Sequence, residues 1–415
     1  MRNVTRLFVP LIDDFDLRHL PPAFYDNPYP FYAALRERVP VKRMPDGSIL
    51  LTRYRDIEFA YKNPKIFSSD KRVEFGQKYG PSPLLEHHTT SLVFNDPPLH
   101  SRVRRLIAAP LTPKAIAAIE PTLNIWVDQL LDRLQQHGGG DLIEDYAAAI
   151  PIEVIGNLLA VPQADRAPLR EWSLSILGAL EPVLTQNAAA RGNVAVLEFS
   201  SYLAQLIEQR RGERRDPFTD LLTKLIEGET EGEQLSAGEL IHNCIFLLNA
   251  GHETTTNLIG NGLVALSEHP AQKQRLIDEP GLIKTAVEEF LRYESSNQLG
   301  NRITTQAVEI GGVNVDAGTL VTLCIGGANR DPAQFTDPDG LDVGRSPNRH
   351  LAFGSGIHQC AGMGVARLEG AVAIGRFLAR FPRFSLIGAP LRGGRARFRG
   401  FLKVPFSTNG STSGK

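Results

Sequence analysis

The stretch "HLAFGSGIHQCAG", His350 to Gly362, carries more information about fold and chemistry than any other part of this chain. It sets Cys360, one of only three cysteines, in a glycine-broken loop two residues after a histidine. Gly354 and Gly356 allow the backbone to take positive φ or to approach another group closely. A helix predicted from Ala361 would point its N-terminal amides at the sulfur. Amides and helix dipole together favour a thiolate.

Four roles are open to Cys360 on the residues alone. A lone cysteine is most often an inert, small hydrophobic side chain. With His358 it could contribute to a zinc site, but no second Cys/His pair with usable spacing exists. A nucleophilic cysteine would need an oxyanion hole, which this loop does not offer. The fourth role is a thiolate ligand to haem iron, because haem supplies four ligands itself and needs only one from the protein.

Composition excludes several classes of protein. The 415 residues are 42% hydrophobic and 22% charged, the balance of a globular protein with ample core, and the length alone favours two domains. Lys+Arg (45) and Asp+Glu (46) nearly cancel, so a nucleic-acid partner is not expected. No apolar run reaches about 18 residues, and the start of the chain suits neither a signal peptide nor an anchor. The three widely spaced cysteines fit a reducing cytoplasm.

The patterning predicts a mainly α fold with small peripheral β-sheets. Residues 98–292 are mostly helical, because apolar residues recur at three and four spacing. Shorter segments give a helix after Pro28 and Pro30, a hairpin around Pro45-Asp46-Gly47, strands over 302–325, a helix after Cys360 ending at Pro382, and a last hairpin over 383–406.

One predicted helix, "LSAGELIHNCIFLLNAGHETTTNLIGNGLVALSEHP", exceeds thirty residues. Ser236 and Glu239 have capping-box spacing at its start. In its middle, Gly251 and Glu253 interrupt apolar runs, so Glu253 is expected to be a buried carboxylate at a weak point of the helix. The alternative is an exposed polar stripe on an amphipathic helix.

The loop "FGSGIHQCAG" resembles the haem-binding loop of the cytochrome P450 family, Phe-Gly-x-Gly-x-His-x-Cys-x-Gly. The six specified positions are filled by Phe353, Gly354, Gly356, His358, Cys360 and Gly362. Further motifs follow the family's order, namely "NPYPFYAALRERVPV", "DPPLHSRVRR", "AGHETT", "EEFLR" and "ANRDP". The resemblance, to soluble bacterial members, covers roughly residues 20 to 405.

This resemblance implies one large haem-thiolate domain over residues 1–406, followed by a disordered tail over 407–415. It overrides the two-domain expectation from length. It also implies haem b (iron protoporphyrin IX) as cofactor, with Cys360 as the axial ligand to the iron. The other expected cofactor-binding residues are His100, Arg104, Arg302, Phe353 and His358.

The family's other motifs imply support and catalysis. Glu289, Arg292 and Arg345 correspond to a buried network that holds the cysteine loop, whereas without the family Glu289 and Arg292 would be a surface ion pair. Glu253 and Thr254 correspond to an acid–alcohol pair that delivers protons during cleavage of O2. This pair favours a reductase-dependent monooxygenase over a peroxide-driven variant, and over the alternative of a thiolate-haem sensor or carrier.

Partners and substrate are also implied only by the resemblance. Electrons would come from a ferredoxin with its reductase or a flavodoxin-type donor, docking on a monomer at Arg102, Arg105, Arg349 and Arg367, unless these are simply a solvated basic face. The reaction would be hydroxylation or O-dealkylation of a small or medium apolar molecule, possibly with a polar handle. The possible substrate pocket comprises His88, Phe246, Asn249, Ala250, Gln298 and Leu299, unless its polar members point to solvent.

The chain departs from the commoner pattern after "LRYES". Many relatives have a proline where this sequence has Ser295-Ser296. The backbone entering the pocket is therefore expected to run differently there.

Overall fold

A computed structural model describes residues 12–108, 111–213, 220–227 and 235–409. It is 58% helical with small sheets, as the sequence predicted. None of the helices in these ranges is both long and apolar enough to span a bilayer. The expectations for the first eleven residues, and for the tail from residue 410 onward, lie outside the described residues.

The α-helices of these ranges are α1 Pro22–Asp26, α2 Tyr29–Arg38, α3 Tyr54–Lys62, α4 Arg72–Tyr79, α5 Pro83–Thr90, α6 Leu99–Ala108, α7 Pro113–His137, α8 Ala149–Leu158, α9 Leu169–Gly178, α10 Gln186–Arg211, α11 Leu221–Glu227, α12 Ala237–Glu268, α13 Pro270–Asp278, α14 Ile283–Tyr293, α15 Ile325–Ala328 and α16 Met363–Arg380. The strands are β1 Val41–Arg43, β2 Ile49–Leu51, β3 Phe67–Ser68, β4 Gly139–Asp141, β5 Leu299–Thr304, β6 Val308–Ile310, β7 Val313–Val315, β8 Leu320–Cys324, β9 Ser385–Leu386, β10 Leu391–Arg392, β11 Phe401–Lys403 and β12 Pro405–Ser407.

The described chain divides into two compact units. The first unit contains residues 12–69, 264–360 and 391–402, and the second contains the described residues of 70–263, 361–390 and 403–409. The expectation of one domain over residues 1–406 stays a prediction.

The first unit is built on a mixed sheet in the order β1-β2-β8-β5-β3. The predicted hairpin is confirmed, because Val41 pairs with Leu51, and Gly47 makes the turn with a φ of 83°. Strand β2 runs parallel to β8, while β5 is antiparallel to both β8 and β3. Buried side chains such as Leu50 and Val321, each 0% exposed, form the core beside this sheet.

The second unit is mainly helical, with a separate core that includes Phe199 and Leu248. Its small sheet has the order β4-β12-β9. A hairpin within residues 383–406 is present, as predicted, because the consecutive strands β10 and β11 pair; β9 pairs in addition with β12. The predicted start of the disordered tail is wrong, because its first residue, Ser407, belongs to β12, and the Thr408 N–H donates to the Gly138 carbonyl at 3.1 Å.

The predicted long helix is α12, with 32 residues. The capping box is confirmed, because the Ser236 N–H donates to Glu239 Oε2 at 2.8 Å and the Glu239 N–H donates to Ser236 Oγ at 3.2 Å. Glu253 is buried with 6% exposure, as expected. The alternative of an exposed stripe at Glu253 is therefore wrong.

Candidate functional site

The cysteine loop is fixed by its own backbone. The Cys360 N–H donates to the Phe353 carbonyl at 2.8 Å, and the Gly354 N–H donates to the Leu351 carbonyl at 2.9 Å. Gly356 has a φ of 69°, and a Cβ at this position would collide with the Tyr61 carbonyl oxygen. Cys360 is partly exposed on this loop, and α16 begins at Met363, two residues later than predicted. The loop therefore presents a thiol that no disulfide uses.

A fully buried ion-pair network lies in the same unit. Glu289 and Arg292 have 0% side-chain exposure, so the alternative of a surface ion pair is wrong. Arg292 Nε and Nη2 each donate to one carboxylate oxygen of Glu289 at 2.8 Å. Arg345 Nε donates to Glu289 Oε2 at 3.0 Å. Bidentate geometry of this kind gives both strength and orientation.

Sequence reasoning missed two asparagines in this network. Asn348 Nδ2 donates to Glu289 Oε2 at 3.1 Å. Asn329 receives a hydrogen bond from Arg292 Nη1 on its carbonyl at 3.0 Å, and its own Oδ1 accepts from the Leu351 N–H at 2.7 Å. The network thus reaches the residue where the cysteine loop begins. The motif "ANRDP" was the available signal for Asn329.

The Ser295-Ser296 departure is used structurally. Ser295 Oγ donates to the Leu291 carbonyl at 2.8 Å and accepts from Asn329 Nδ2 at 2.8 Å. The serine thereby connects the end of α14 to the asparagine that holds Leu351.

The predicted cofactor contacts of the first unit differ in exposure: Phe353 and His358 lie on a partly exposed loop, and Arg302 is buried. Every residue from 352 to 360 is partly or fully exposed, although the network behind the loop is buried. These residues include Phe353 and His358. Arg302 is 9% exposed, donates to the Asn301 carbonyl at 2.7 Å and lies 5.2 Å from the centre of the Tyr61 ring.

Two predicted cofactor contacts lie on α6 of the second unit. His100 and Arg104 are four apart and therefore on one helix face. His100 is 3% exposed and Arg104 is half-buried. On the same helix Arg102 forms an ion pair with Glu239 of the capping box, so part of the predicted basic patch is already compensated.

The middle of α12 carries an accessible stripe on a helix that is otherwise largely buried. Phe246, Ala250 and Thr254 are spaced by four; Ala250 is exposed and the other two are partly exposed. The Thr254 hydroxyl donates to the Ala250 carbonyl at 2.6 Å. An exposed alanine in the middle of a buried helix indicates space beside it.

The ionisable side chains next to this stripe are buried. Glu253 is buried, and His252 beside it is 1% exposed. Burial, assisted by the positive charge of Arg170, lowers the pKa of His252 to about 3. His252 is therefore neutral at physiological pH.

The polar residues of the expected substrate pocket are buried. His88 is 2% exposed and packs its ring against Phe75 and Phe94. Asn249 is 2% exposed, and Gln298 is 1% exposed, donating to the Ser295 carbonyl at 2.7 Å. The alternative that these side chains point to solvent is wrong. Leu299, 1% exposed, is the first residue of β5.

The residues present fit a haem better than a protein-only metal site. Within the described ranges no group of three or more His, Cys, Asp or Glu side chains could hold a metal ion, so the zinc alternative lacks ligands there. A partly exposed thiol on a fixed loop and the cation Arg302 in the same unit are features that a dianionic iron macrocycle requires.

Comparison with known proteins identifies close relatives along most of the chain. The cytochrome P450 family model matches residues 179–386. The vitamin D(3) 25-hydroxylase of Pseudonocardia autotrophica is 40% identical over 367 residues, 88% of each chain. The biotin biosynthesis cytochrome P450 of Bacillus subtilis is 36% identical over 88% of this chain and 91% of its own. The crystal structure of P450BioI with hexadec-9Z-enoic acid ligated acyl carrier protein has a TM-score of 0.88 at 34% identity, covering 94% of this chain and 100% of that one.

Proposed function

Because this chain belongs to the cytochrome P450 family, whose members are haem-dependent monooxygenases, we propose that Cys360 ligates the haem iron and that the enzyme oxygenates an apolar organic substrate. The net reaction is R–H + O2 + two electrons + two protons giving R–OH + H2O. The observation that supports it most is the cysteine loop. Cys360 is partly exposed, and the loop's backbone is connected to the buried Glu289 network through Leu351.

Haem, when bound, supplies an iron that takes up O2 and activates it for insertion into a C–H bond. The chain's part is to hold the cofactor. His358 and Arg302 would bind propionate oxygens, as would His100 and Arg104, because carboxylates need cationic or hydrogen-bonding partners. Phe353 would pack beside Cys360 and shield the sulfur. Glu289, Arg292 and Arg345 would support the loop without touching the reacting atoms.

Glu253 and Thr254 would supply the two protons. The carboxyl can take a proton from solvent, and the Thr254 hydroxyl can pass one onward. In the structure this hydroxyl donates to the Ala250 carbonyl, so it must leave that bond when it serves the reaction.

The proposed substrate is a small or medium apolar molecule with one polar end, which is hydroxylated or O-dealkylated. Phe246 and Ala250 offer an apolar accessible surface. P450BioI, a relative of known structure, is in complex with an acyl carrier protein to which hexadec-9Z-enoic acid, a long apolar chain, is ligated. This supports the class of substrate but names no molecule for this chain.

Electrons would come from a ferredoxin with its reductase or from a flavodoxin-type donor. Arg102, Arg105, Arg349 and Arg367 would receive that acidic partner. The enzyme would work as a monomer. It would work in a reducing compartment such as the cytoplasm, because its cysteines form no disulfide.

Spectroscopy tests the ligand, and isotope labelling tests the reaction. The reduced protein with CO should show the strongly red-shifted band of thiolate-ligated haem, and Cys360→Ala should abolish it. With ferredoxin, reductase, NADPH and 18O2, a substrate found by displacement of iron-bound water should gain one labelled oxygen. A Cys360→Ala variant that kept the shifted band would contradict the proposal.

A further inference from the structure

Asn249 is an unusual residue for the inside of a long helix. Its side chain is 2% exposed, and neither Oδ1 nor Nδ2 has a hydrogen-bond partner among the described residues. An amide offers two N–H donors and one carbonyl acceptor. A buried amide with unmet groups costs stability that a leucine of similar size would not. Something outside the protein chain is therefore expected to meet those groups.

The place of Asn249 on α12 suggests what this is. Asn249 lies four residues before Glu253, which puts the two side chains on one helix face with Cβ atoms about 5–6 Å apart. Both are buried, yet Asn249 makes no hydrogen bond to the carboxyl. One water molecule can bridge two polar groups that do not bond to each other directly, and buried water typically bonds to the polar groups that the protein leaves unmet.

A substrate's polar end is the competing explanation. The accessible stripe of α12 is formed by Phe246, Ala250 and Thr254, whereas both polar atoms of Asn249 are enclosed. A molecule in the space beside Ala250 would not reach them without rearrangement. A single water molecule needs less room beside the enclosed amide than the polar end of a substrate does, which favours water over substrate.

We propose that Asn249 is a positioning residue that holds a water molecule against the Glu253 carboxyl, as part of the proton supply. The inference rests on the proposed function, because only oxygen cleavage needs that supply. The water gives up one proton as it accepts one, so it leaves the balance of the reaction unchanged. When the protons do not arrive by this route, O2, two electrons and two protons from elsewhere form H2O2 instead, and no product forms.

Crystallography tests the water directly. In the haem-loaded wild type, an ordered water should lie within hydrogen-bond distance of both the Asn249 amide and the Glu253 carboxyl. It should be absent from Asn249→Leu and present in Asn249→Gln. A well-resolved wild-type map without this water overturns the inference, whatever the enzyme's activity.

Kinetics test its role. With ferredoxin, reductase and NADPH, Asn249→Leu should change the solvent deuterium isotope effect on O2 consumption and slow that consumption by about tenfold or more, the lower range of acid–base contributions. Asn249→Gln should restore both. Asn261→Leu, which removes another buried amide two turns beyond Glu253, should behave as wild type.

Binding separates the alternatives. The dissociation constant for hexadec-9Z-enoic acid, used as the probe, should be the same in wild type and Asn249→Leu. Weaker binding of the probe with an unchanged isotope effect would assign Asn249 to the substrate and overturn the inference, as would no change in either quantity. If wild type forms product but the variants match it, the inference alone fails. If wild type consumes no O2 and forms no product, the proposed function fails, and the crystallographic water still decides about Asn249.

Discussion

Glu289 shows how much depends on one carboxylate in this chain. It accepts hydrogen bonds from two arginines, Asn348 and the Asp342 N–H, with no exposure to solvent. The spacing of Glu289 and Arg292 and the place of Arg345 could be taken from the motifs. Asn348 could not, because nothing in the sequence distinguishes an asparagine that turns inward from one on a surface loop.

Replacing Glu289 with glutamine should destabilise the protein by about 3–5 kcal/mol, because Arg292 and Arg345 keep buried charges without a counter-charge. Haem should be lost before the fold, since the network reaches the cysteine loop. Guanidinium unfolding curves and the ratio of haem to protein absorbance measure these effects. The control is Glu208→Gln, which removes an exposed ion pair of the same spacing with Arg211, worth about 0.2–1 kcal/mol. Equal losses in the two variants would contradict the prediction.

Glu369 on α16 is a buried acid that sequence reasoning missed. It is 3% exposed, and burial raises its pKa to about 8. Because the folded pKa lies above that of the unfolded chain, 4.5, the folded state binds the extra proton, and stability falls as pH rises from about 5 to 8. Glu369→Leu should flatten this decline and be more stable than wild type at pH 8, by about 1–3 kcal/mol. Urea unfolding at pH 5 and pH 8 checks it; parallel pH dependence in both proteins would refute it.

At the scale of elements, local signals predicted turns and caps, but they did not indicate which distant strands pair. The turn at Gly47 and the capping box of α12 depend on residues within a few positions, so both are as the sequence predicted. The pairing of β9 with β12 depends on contacts between distant residues, which alternation of apolar residues does not encode. The same limit applies to α5, whose His87 packs against His242 of α12.

The cysteine loop should be more sensitive to its glycines than ordinary turns are. Gly356→Ala should prevent haem binding, because its Cβ would displace the Tyr61 carbonyl and thus the loop. Gly312→Ala is a matched control: it also has positive φ, at 84°, but nothing lies within 4 Å of the added Cβ. The control should cost about 1–3 kcal/mol and keep haem. Haem content of the two purified variants is the measurement, and full loading of Gly356→Ala would count against it.

The histidines around α5 should make this segment sensitive to acid. The ring centres of His87 and His242 lie 5.6 Å apart, and His242 Nε2 lies 3.5 Å from Glu86. Burial lowers the pKa of both histidines below 6.5, that of His87 further. Locally unfolded states of this segment therefore bind more protons below pH 6.5 than the folded state does. The free energy of opening the segment falls as pH falls.

Amide exchange of α5, corrected for intrinsic rates, should accelerate by about fivefold per histidine between pH 6.5 and 5.5. His87→Phe keeps a ring but removes one titrating group, so it should reduce this dependence. His137→Phe, at an exposed position, should not. An unchanged profile in His87→Phe would show that the histidine does not titrate on opening.

For the whole molecule, the three cysteines report on the cofactor. Burial raises the pKa of Cys244 and Cys324 to about 12, whereas Cys360 is partly exposed. Fold class and cofactor could be predicted because the motifs span most of the chain. Length alone suggested two domains, but the bounds of the two compact units could not be predicted, since the residues of each unit come from three separate stretches.

A maleimide should therefore label the haem-free chain once, at Cys360, and leave the haem-loaded chain unlabelled. Cys360→Ala should take up no label in either form. Intact mass spectrometry counts the labels, and modification of Cys244 or Cys324 at neutral pH would contradict the burial of those thiols.

The ion pair between Arg102 and Glu239 has a consequence for the binding of an acidic electron-donor protein. Glu239 already caps the start of α12 through the Ser236 N–H, and the same carboxylate engages Arg102. A carboxylate of the partner protein must compete with the Glu239 carboxylate for the Arg102 guanidinium. Arg102 should thus contribute less to the salt dependence of electron-donor association than Arg105 on the same helix. A partner carboxylate that displaced Glu239 from Arg102 would also weaken the cap of α12.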